Sequence, residues 1–376
     1  MINQSKNSHR AFVRAEYLPQ SPPPVLAKGV IGWARENLFS SPLNAALTIA
    51  SCCFLYLVIP PFFQWAILDA AWWGNSNKDC AGYDGACWAV VTARFGQFVY
   101  GFYPEEERWR PNLVLMLFVI NLLPVLWDKM PGRTIAALFL VTGFPLVALF
   151  LIFGGIGLEV VPTPKWGGFM LNLIMAAVAI IYSLPIGILL ALGRRSEFPI
   201  ISRFCVLFIE FWRGVPLITV LVMASFMLPF FLPEGFNFNE LLRALVGLTL
   251  FSSAYMAEVV RGGLQALPKG QTEAARAMGL TYWQSIRLVI MPQALKITIP
   301  AIVNTFIGLF KDTSLVIVIG LFDLLQVAKS SVTDTNWLGL EHETYIFVAL
   351  VFFIACFAMS RYSLYLERKL DTNRRD

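Results

Sequence analysis

The chain has 376 residues, 57% of them hydrophobic and 14% charged, with a mean hydropathy of +0.65 and a formal charge of +5. That mix lies outside the range of water-soluble domains and makes a bilayer the expected solvent. Lys and Arg fall mainly in connecting segments, which excludes a dense basic patch for nucleic acid and marks them as topology signals.

Residues 1 to about 43 are polar, proline-rich at 21 to 24, and basic at Lys6, Arg10, Arg14, Lys28 and Arg35. This pattern is too long and too mixed for a cleavable signal peptide, so the segment is predicted to be cytoplasmic. Crossing the hydrocarbon takes about 20 apolar residues, and the first such run spans about 44 to 68. Cys80 and Cys87 then flank the polar stretch AGYDGA. On the outer side a disulfide is permitted there, with two free thiols as the alternative. No second Cys or His pair lies nearby to complete a zinc site, so no metal is expected. Cys52, Cys53, Cys205 and Cys356 sit in apolar runs, where cysteine acts as a small hydrophobe.

Residues 88 to 110 are fairly apolar yet carry Arg94, Arg108 and Arg110. Counting them as a span would place every later basic loop outside, so they are read as interfacial or partly re-entrant. Spans at about 111 to 127 and 134 to 157, joined by the basic turn DKMPGR, complete a three-span extension over 44–160 with an outer loop at about 69–110. Five more follow, at about 168 to 193, 204 to 232, 240 to 261, 294 to 321 and 343 to 366. About eight crossings put Arg194, Arg195, the stretch 261 to 296 and the basic tail on one side, and both termini in the cytoplasm. The predicted fold is an all-α integral membrane protein with a five-helix core within 165–370.

Residues 262 to 292 form the longest polar interruption between spans. Gly262 and Gly263 are expected to end one helix, Pro268 and Gly270 to make a turn, and Thr272 to cap a segment starting at Glu273. Ala274, Ala275, Ala277 and Gly279 give that segment a thin face that another backbone can approach, and Tyr282, Trp283, Ile286 and Val289 add apolar contacts. The motif Glu273, Ala274, Ala275, Gly279, Val289, Met291 and Pro292 resembles the EAA loop of ABC importer permeases, with Val289 and Met291 in place of the more usual Ile and Leu. The stretches 208 to 221, 254 to 275 and 304 to 325 resemble the permeases for polar amino acids, over about 165 to 370. The leading half resembles the longer permease subunit of general L-amino acid systems, whose relatives handle glutamate, glutamine, aspartate and asparagine.

The resemblance implies a type I importer permease of the inner membrane. It also implies a cytoplasmic ATPase dimer docked on the loop, a second permease forming a pseudo-twofold heterodimer, and a periplasmic amino-acid-binding protein. A broad L-amino acid range is favoured, with the narrower four-substrate range as the alternative. No G-x-x-x-x-G-K-[ST] loop occurs, so ATP and Mg²⁺ are assigned to the partner ATPase and no cofactor to this chain. A channel or receptor has no use for an EAA loop. An enzyme is disfavoured because two histidines, with no H-E-x-x-H and no G-x-S-x-G, offer little for acid–base chemistry.

Charges within spans cost about 2.5 to 3.5 kcal/mol on insertion scales, so each asks for a reason. Glu210 with Arg213, and Glu258 with Arg261, stand three residues apart and can neutralise each other near the cytoplasmic side. Lys311 and Asp312 interrupt a long apolar run and point about 100° apart. Followed by Thr313 and Ser314, they suit a locally broken helix lining a pathway. Arg213, Glu258, Asp312, Thr313 and Ser314 are the candidate pathway residues, with Asp312 for a substrate ammonium and Arg213 for its carboxylate; the alternatives are a structural or gating role for the Glu–Arg pairs, and for Asp312 an ion pair with an arginine such as Arg213 or with a lysine elsewhere in the bundle. Glu159, Asp323 and Asp334 are expected to be solvated near the outer interface.

Overall fold

The computed structural model describes residues 29–126, 130–231, 233 and 238–370. The segment up to residue 28, the first two residues of the turn DKMPGR and the end of the basic tail lie outside them. Among the described residues the chain is helical, with isolated bridges and no strands. Seven helices are long and apolar enough to cross a membrane, and a bent pair brings the number to eight.

The chain forms two compact units, Met1–Asp69 and Ala70–Asp376. In the first, α1 (Gly29–Asn37) precedes α2 (Pro42–Phe63). Pro42 occupies the first turn of α2, where its missing N–H costs nothing, and the Ser41 hydroxyl accepts from Asn44 N at 3.1 Å. Pro60 and Pro61 remove two N–H donors near the helix end, and the next turn, Gln64–Leu68, widens to a π turn. No residue of α2 is buried and its sides are uniformly apolar, as a lipid-facing helix requires.

The second unit contains everything else, and its main core joins residues of the second and third spans with residues of later helices. Its helices are α3 (Ala89–Ala93), α4 (Phe95–Tyr100), α5 (Trp109–Leu126), α6 (Arg133–Phe153), α7 (Gly168–Arg194), α8 (Pro199–Gly214), α9 (Leu217–Val222), α10 (Glu240–Ala266), α11 (Lys269–Ala277), α12 (Tyr282–Ser285), α13 (Met291–Asp312), α14 (Leu324–Val332) and α15 (Glu341–Leu370). α10 is the most buried of the long helices and lies at the centre of the unit. Small residues let its neighbours come close: a Cβ on Gly187 of α7 would lie 2.8 Å from Met256 Cβ, and one on Gly263 would lie 2.6 Å from the Ala294 carbonyl oxygen of α13.

Helices α3 and α4, of five and six residues, are too short to cross, so residues 88 to 110 are not a span. They cover one end of the bundle. Cys80 and Cys87 are joined by a disulfide beside a small core of Val90, Val91 and Trp337. Arg94 pairs with Asp334, whose carboxyl is held below its usual range first by the Asn336 N–H and then by Arg94. Phe98 packs edge-on against Phe347 of α15 at 5.2 Å. Two buried charges here were not anticipated. Arg110 is 1% exposed, bonding Glu107 at 2.6 Å and the Glu159 carbonyl, and Glu343 accepts from Cys87 N at 3.1 Å.

Asp323 departs most from expectation. It is fully buried, not solvated, because it caps α14 by accepting from Gln326 N at 3.0 Å and Leu325 N at 3.3 Å. Asn172 of α7 donates to it at 3.3 Å and accepts from Leu324 N at 2.9 Å. Burial raises this carboxyl to about 6 even though each of those donors pulls it down.

Candidate functional site: a coupling segment and an ion cluster

At the opposite end of the bundle, the polar interruption folds differently from the sequence reading. α10 continues through Gly262 and Gly263 to Ala266, because Gly263 serves the close approach to α13 and not a helix stop. Leu267 and Pro268 are extended, and α11 begins at Lys269, so Thr272 lies within the helix and does not cap it. Gly279 ends α11 with φ +78°, and its N–H donates to the Arg276 carbonyl at 2.9 Å. Its part is therefore the left-handed turn, and a Cβ there would meet nothing within 4 Å.

Thr281 then starts a new helix through a capping box with Gln284. From Tyr282 the chain runs without a break through a π turn at Ile286–Ile290, then α13, to Ile319. The helix that contains the span predicted from 294 therefore starts 12 residues earlier. Ala275 is turned inward at 4% exposure, whereas Glu273, Ala274 and Ala277 face outward. Met278, Tyr282, Trp283 and Leu288 are 81%, 52%, 66% and 64% exposed. Beneath them Ile286, Val289 and Met291 pack on the core formed by α7, α8, α10 and α13. Pro292 sits in the first turn of α13. One face of the segment is thus fixed to the bundle while the other offers small side chains and uncovered aromatic rings.

Beside it five charged residues meet. Glu258 is bound by Arg194 at 2.7 Å, by Arg261 at 2.8 Å and by Arg213 at 3.7 Å, and Arg194 also reaches Glu210 at 3.1 Å. Arg213 lies over the Tyr255 ring at 5.7 Å. Glu258 pairs with Arg261 as the spacing suggested, but Glu210 takes Arg194 from α7 in place of Arg213. Sequence reasoning treated Arg194 only as a topology marker; its position at the last turn of α7 brings it into the centre of the cluster.

Of the pathway candidates, Arg213 and Glu258 meet in this cluster, while Asp312, Thr313 and Ser314 lie where α13 ends and make no hydrogen bond or ion pair with them among the described residues. Thr313 is fully buried, accepting from Asn172 at 2.9 Å and donating to the Phe310 carbonyl at 2.7 Å. The Ser314 hydroxyl donates to the Lys311 carbonyl at 2.8 Å. At Thr313 the α-helix tightens to a 3₁₀ helix, Thr313–Ile319, which ends in the left-handed Gly320. The Asp312 carboxylate is half-buried and has no hydrogen bond or ion pair among the described residues. Arg213 is not its partner.

A family model, binding-protein-dependent transport system inner membrane component, matches residues 183–372. The chain belongs to that family. The amino-acid ABC transporter permease YhdY of Escherichia coli is 54% identical over 91% of this chain and 93% of its own. The glutamate/glutamine/aspartate/asparagine transport permease BztC of Rhodobacter capsulatus is 44% identical over 98% and 100%. A solved amino acid ABC transporter chain is 33% identical over 54% of this chain and 92% of its own, with a TM-score of 0.49. This family member is an amino-acid ABC transporter permease subunit, a multi-pass inner-membrane protein. Subunits of this kind are not enzymes; they work with an ATPase and a binding protein.

Proposed function

We propose that this permease carries glutamate, glutamine, aspartate and asparagine from a periplasmic binding protein into the cytoplasm. It does so as one half of a pseudo-twofold heterodimer with a second permease, driven by an ATPase dimer that holds ATP and Mg²⁺. The narrower range is preferred over a broad L-amino acid range because the relative matching across the whole chain carries it in its name. Orientation follows from charge: Arg194, Arg195 and the coupling segment face the cytoplasm, and the disulfide end faces the periplasm. The 44–160 region then contributes three spans and the 69–110 outer loop to this importer.

The single observation that carries the reading is the segment from Lys269 to Pro292, anchored on one face and bare on the other. Glu273, Ala274, Ala275, Gly279, Val289, Met291 and Pro292 form the ATPase-coupling element, in which Ala274 and Ala277 admit the partner while Ala275, Val289 and Met291 hold the lever to the core. Arg213 and Glu258 close the cytoplasmic end of the pathway, and Asp312 is the intramembrane group left to meet a substrate ammonium. The test is to purify the chain with its co-expressed partners, reconstitute it, and measure ATP-dependent uptake of the four amino acids together with impermeant labelling of Lys269→Cys in intact cells. Uptake without ATP, or labelling of that cysteine from outside, would overturn the proposal.

A further inference from the structure

At the end of the bundle away from the coupling segment, a cavity of about 520 Å³ opens between the loop at 163–166, the start of α10 and the residues after the 3₁₀ helix. Its lining includes Thr163, Pro164, Trp166, Glu240, Arg243 and Phe322. This volume lies within the range of about 300 to 1,000 Å³ typical of small-ligand pockets.

Arg243 is the anomaly. It is 6% exposed, in the first turns of α10, and its Nη1 donates to the Ser225 carbonyl. Its Nε is buried with no hydrogen-bond partner, and no carboxylate pairs with it among the described residues. A guanidinium has five N–H donors, and among the described residues a backbone carbonyl is the one acceptor supplied. The Ser225 hydroxyl beside it is also buried without a partner. A buried cation at a helix N-terminus, where the helix dipole is itself positive, is doubly short of negative charge. Glu240 lies three residues earlier on the same helix, exposed at the cavity, and no ion pair joins the two. A guanidinium within and a carboxylate at the rim, one helical turn apart, match the two poles of an amino-acid zwitterion.

We infer that this cavity is an outer amino-acid subsite: Arg243 receives the α-carboxylate, Glu240 receives the α-ammonium, and Trp166 and Phe322 line the remaining space. The inference deepens the function and orientation proposed above and rests on them. Recognition through the backbone poles alone admits several side chains, as an importer of four related amino acids requires.

The test uses the complete purified transporter in nanodiscs without binding protein, titrated with radiolabelled L-glutamine and L-glutamate. Both should bind, while L-glutamine methyl ester and N-acetyl-L-glutamine should compete at least tenfold more weakly than L-glutamine. Arg243→Gln should weaken binding at least tenfold, and Arg243→Lys by less. Pro164→Trp, which fills the cavity from an exposed position and leaves Arg243 in place, should abolish binding without lowering the melting temperature; it decides the matter if Arg243→Gln fails to assemble. Binding within twofold of wild type in either variant overturns the inference. So does competition by the blocked analogues at full strength, or a loss in Arg243→Gln that is as large for docking of the empty binding protein. If the wild type binds neither amino acid yet takes up both with its binding protein, the subsite is refuted and the importer assignment stands.

Discussion

Replacing Glu258 by Gln keeps the side chain's size and removes the charge that three arginines share. Arg261 holds it in two-pronged fashion, Nε at 3.0 Å and Nη2 at 2.8 Å from Oε2, and Arg194 reaches Oε1 at 2.7 Å. At an effective dielectric of 20, each unit charge pair near 4 Å is worth about 4 kcal/mol before desolvation. The arginines are 25%, 36% and 28% exposed, however, and exposed pairs measure about 0.2 to 1 kcal/mol. About 1 kcal/mol for each close pair and a few tenths for Arg213 give about 2 kcal/mol, roughly a 30-fold change in any equilibrium that the closed cluster stabilises. Glu258→Gln should therefore raise the ATPase rate without binding protein and lower the complex's melting temperature. A double-mutant cycle with Arg261→Gln should return a coupling energy near 1 kcal/mol. If the two substitutions are additive within about 0.3 kcal/mol and basal ATPase is unmoved, the cluster is not an interacting gate and the argument fails.

Gly279→Ala should cost about 1 to 2 kcal/mol at the left-handed turn, weakening stimulation by loaded binding protein, with Gly279→Asn partly restoring it because Asn tolerates this conformation; equal loss in both variants would reject the turn as cause. Asp323, raised from 3.8 to about 6 by burial, binds its proton more tightly folded than unfolded. Its stabilising protonation is thus complete below about pH 4 and lost as pH rises through about 6, worth about 3 kcal/mol at most. Thermal melting across that window should show the slope, and Asp323→Asn, which keeps a capping side chain, should flatten it. Reducing the Cys80–Cys87 disulfide, which closes a separation of seven residues, should destabilise the end cap by about 2.5 kcal/mol and expose residues 70 to 110 to protease, a change read by limited proteolysis with and without reductant.

Span number was legible because apolar length is dictated by the bilayer: four of the five predicted core spans have a helix of their own, whereas 204 to 232 is broken into Pro199–Gly214 and Leu217–Phe231, bent by 102°. The segment from Lys269 to Pro292 was legible as composition but not as local geometry. Gly262 and Gly263 signal a helix stop in isolation, and only the approach of α13 to within van der Waals distance shows why small residues are needed mid-helix. Asp323 was misplaced because an acidic residue near a span end ordinarily reaches water; its burial depends on Asn172, 151 residues away, which no local pattern announces. Arg194 was missed as a hub for the same reason, since its partners come from α8 and α10. Arg243 carried a readable signal, a lone cation within the first turns of an apolar helix, that was passed over in favour of charges deeper in the spans.

α10 is a single unbroken rod of 27 residues, about 40 Å long, with Arg243 near one tip and Glu258 on the far side of its midpoint, about 7.5 Å beyond it. A pivot of about 7° around its midpoint moves Arg243 by about 1.8 Å and Glu258 by about 0.9 Å in opposite senses. The smaller of these shifts is enough to stretch the 2.7 Å contact at Glu258 beyond hydrogen-bonding range. A stiff seesaw of this kind cannot relax at both tips together: a tilt that tightens the grip on one side of the membrane slackens it on the other. Mutual exclusion between the two mouths would then need no signal to pass from one to the other, because it is built into the straightness of one helix.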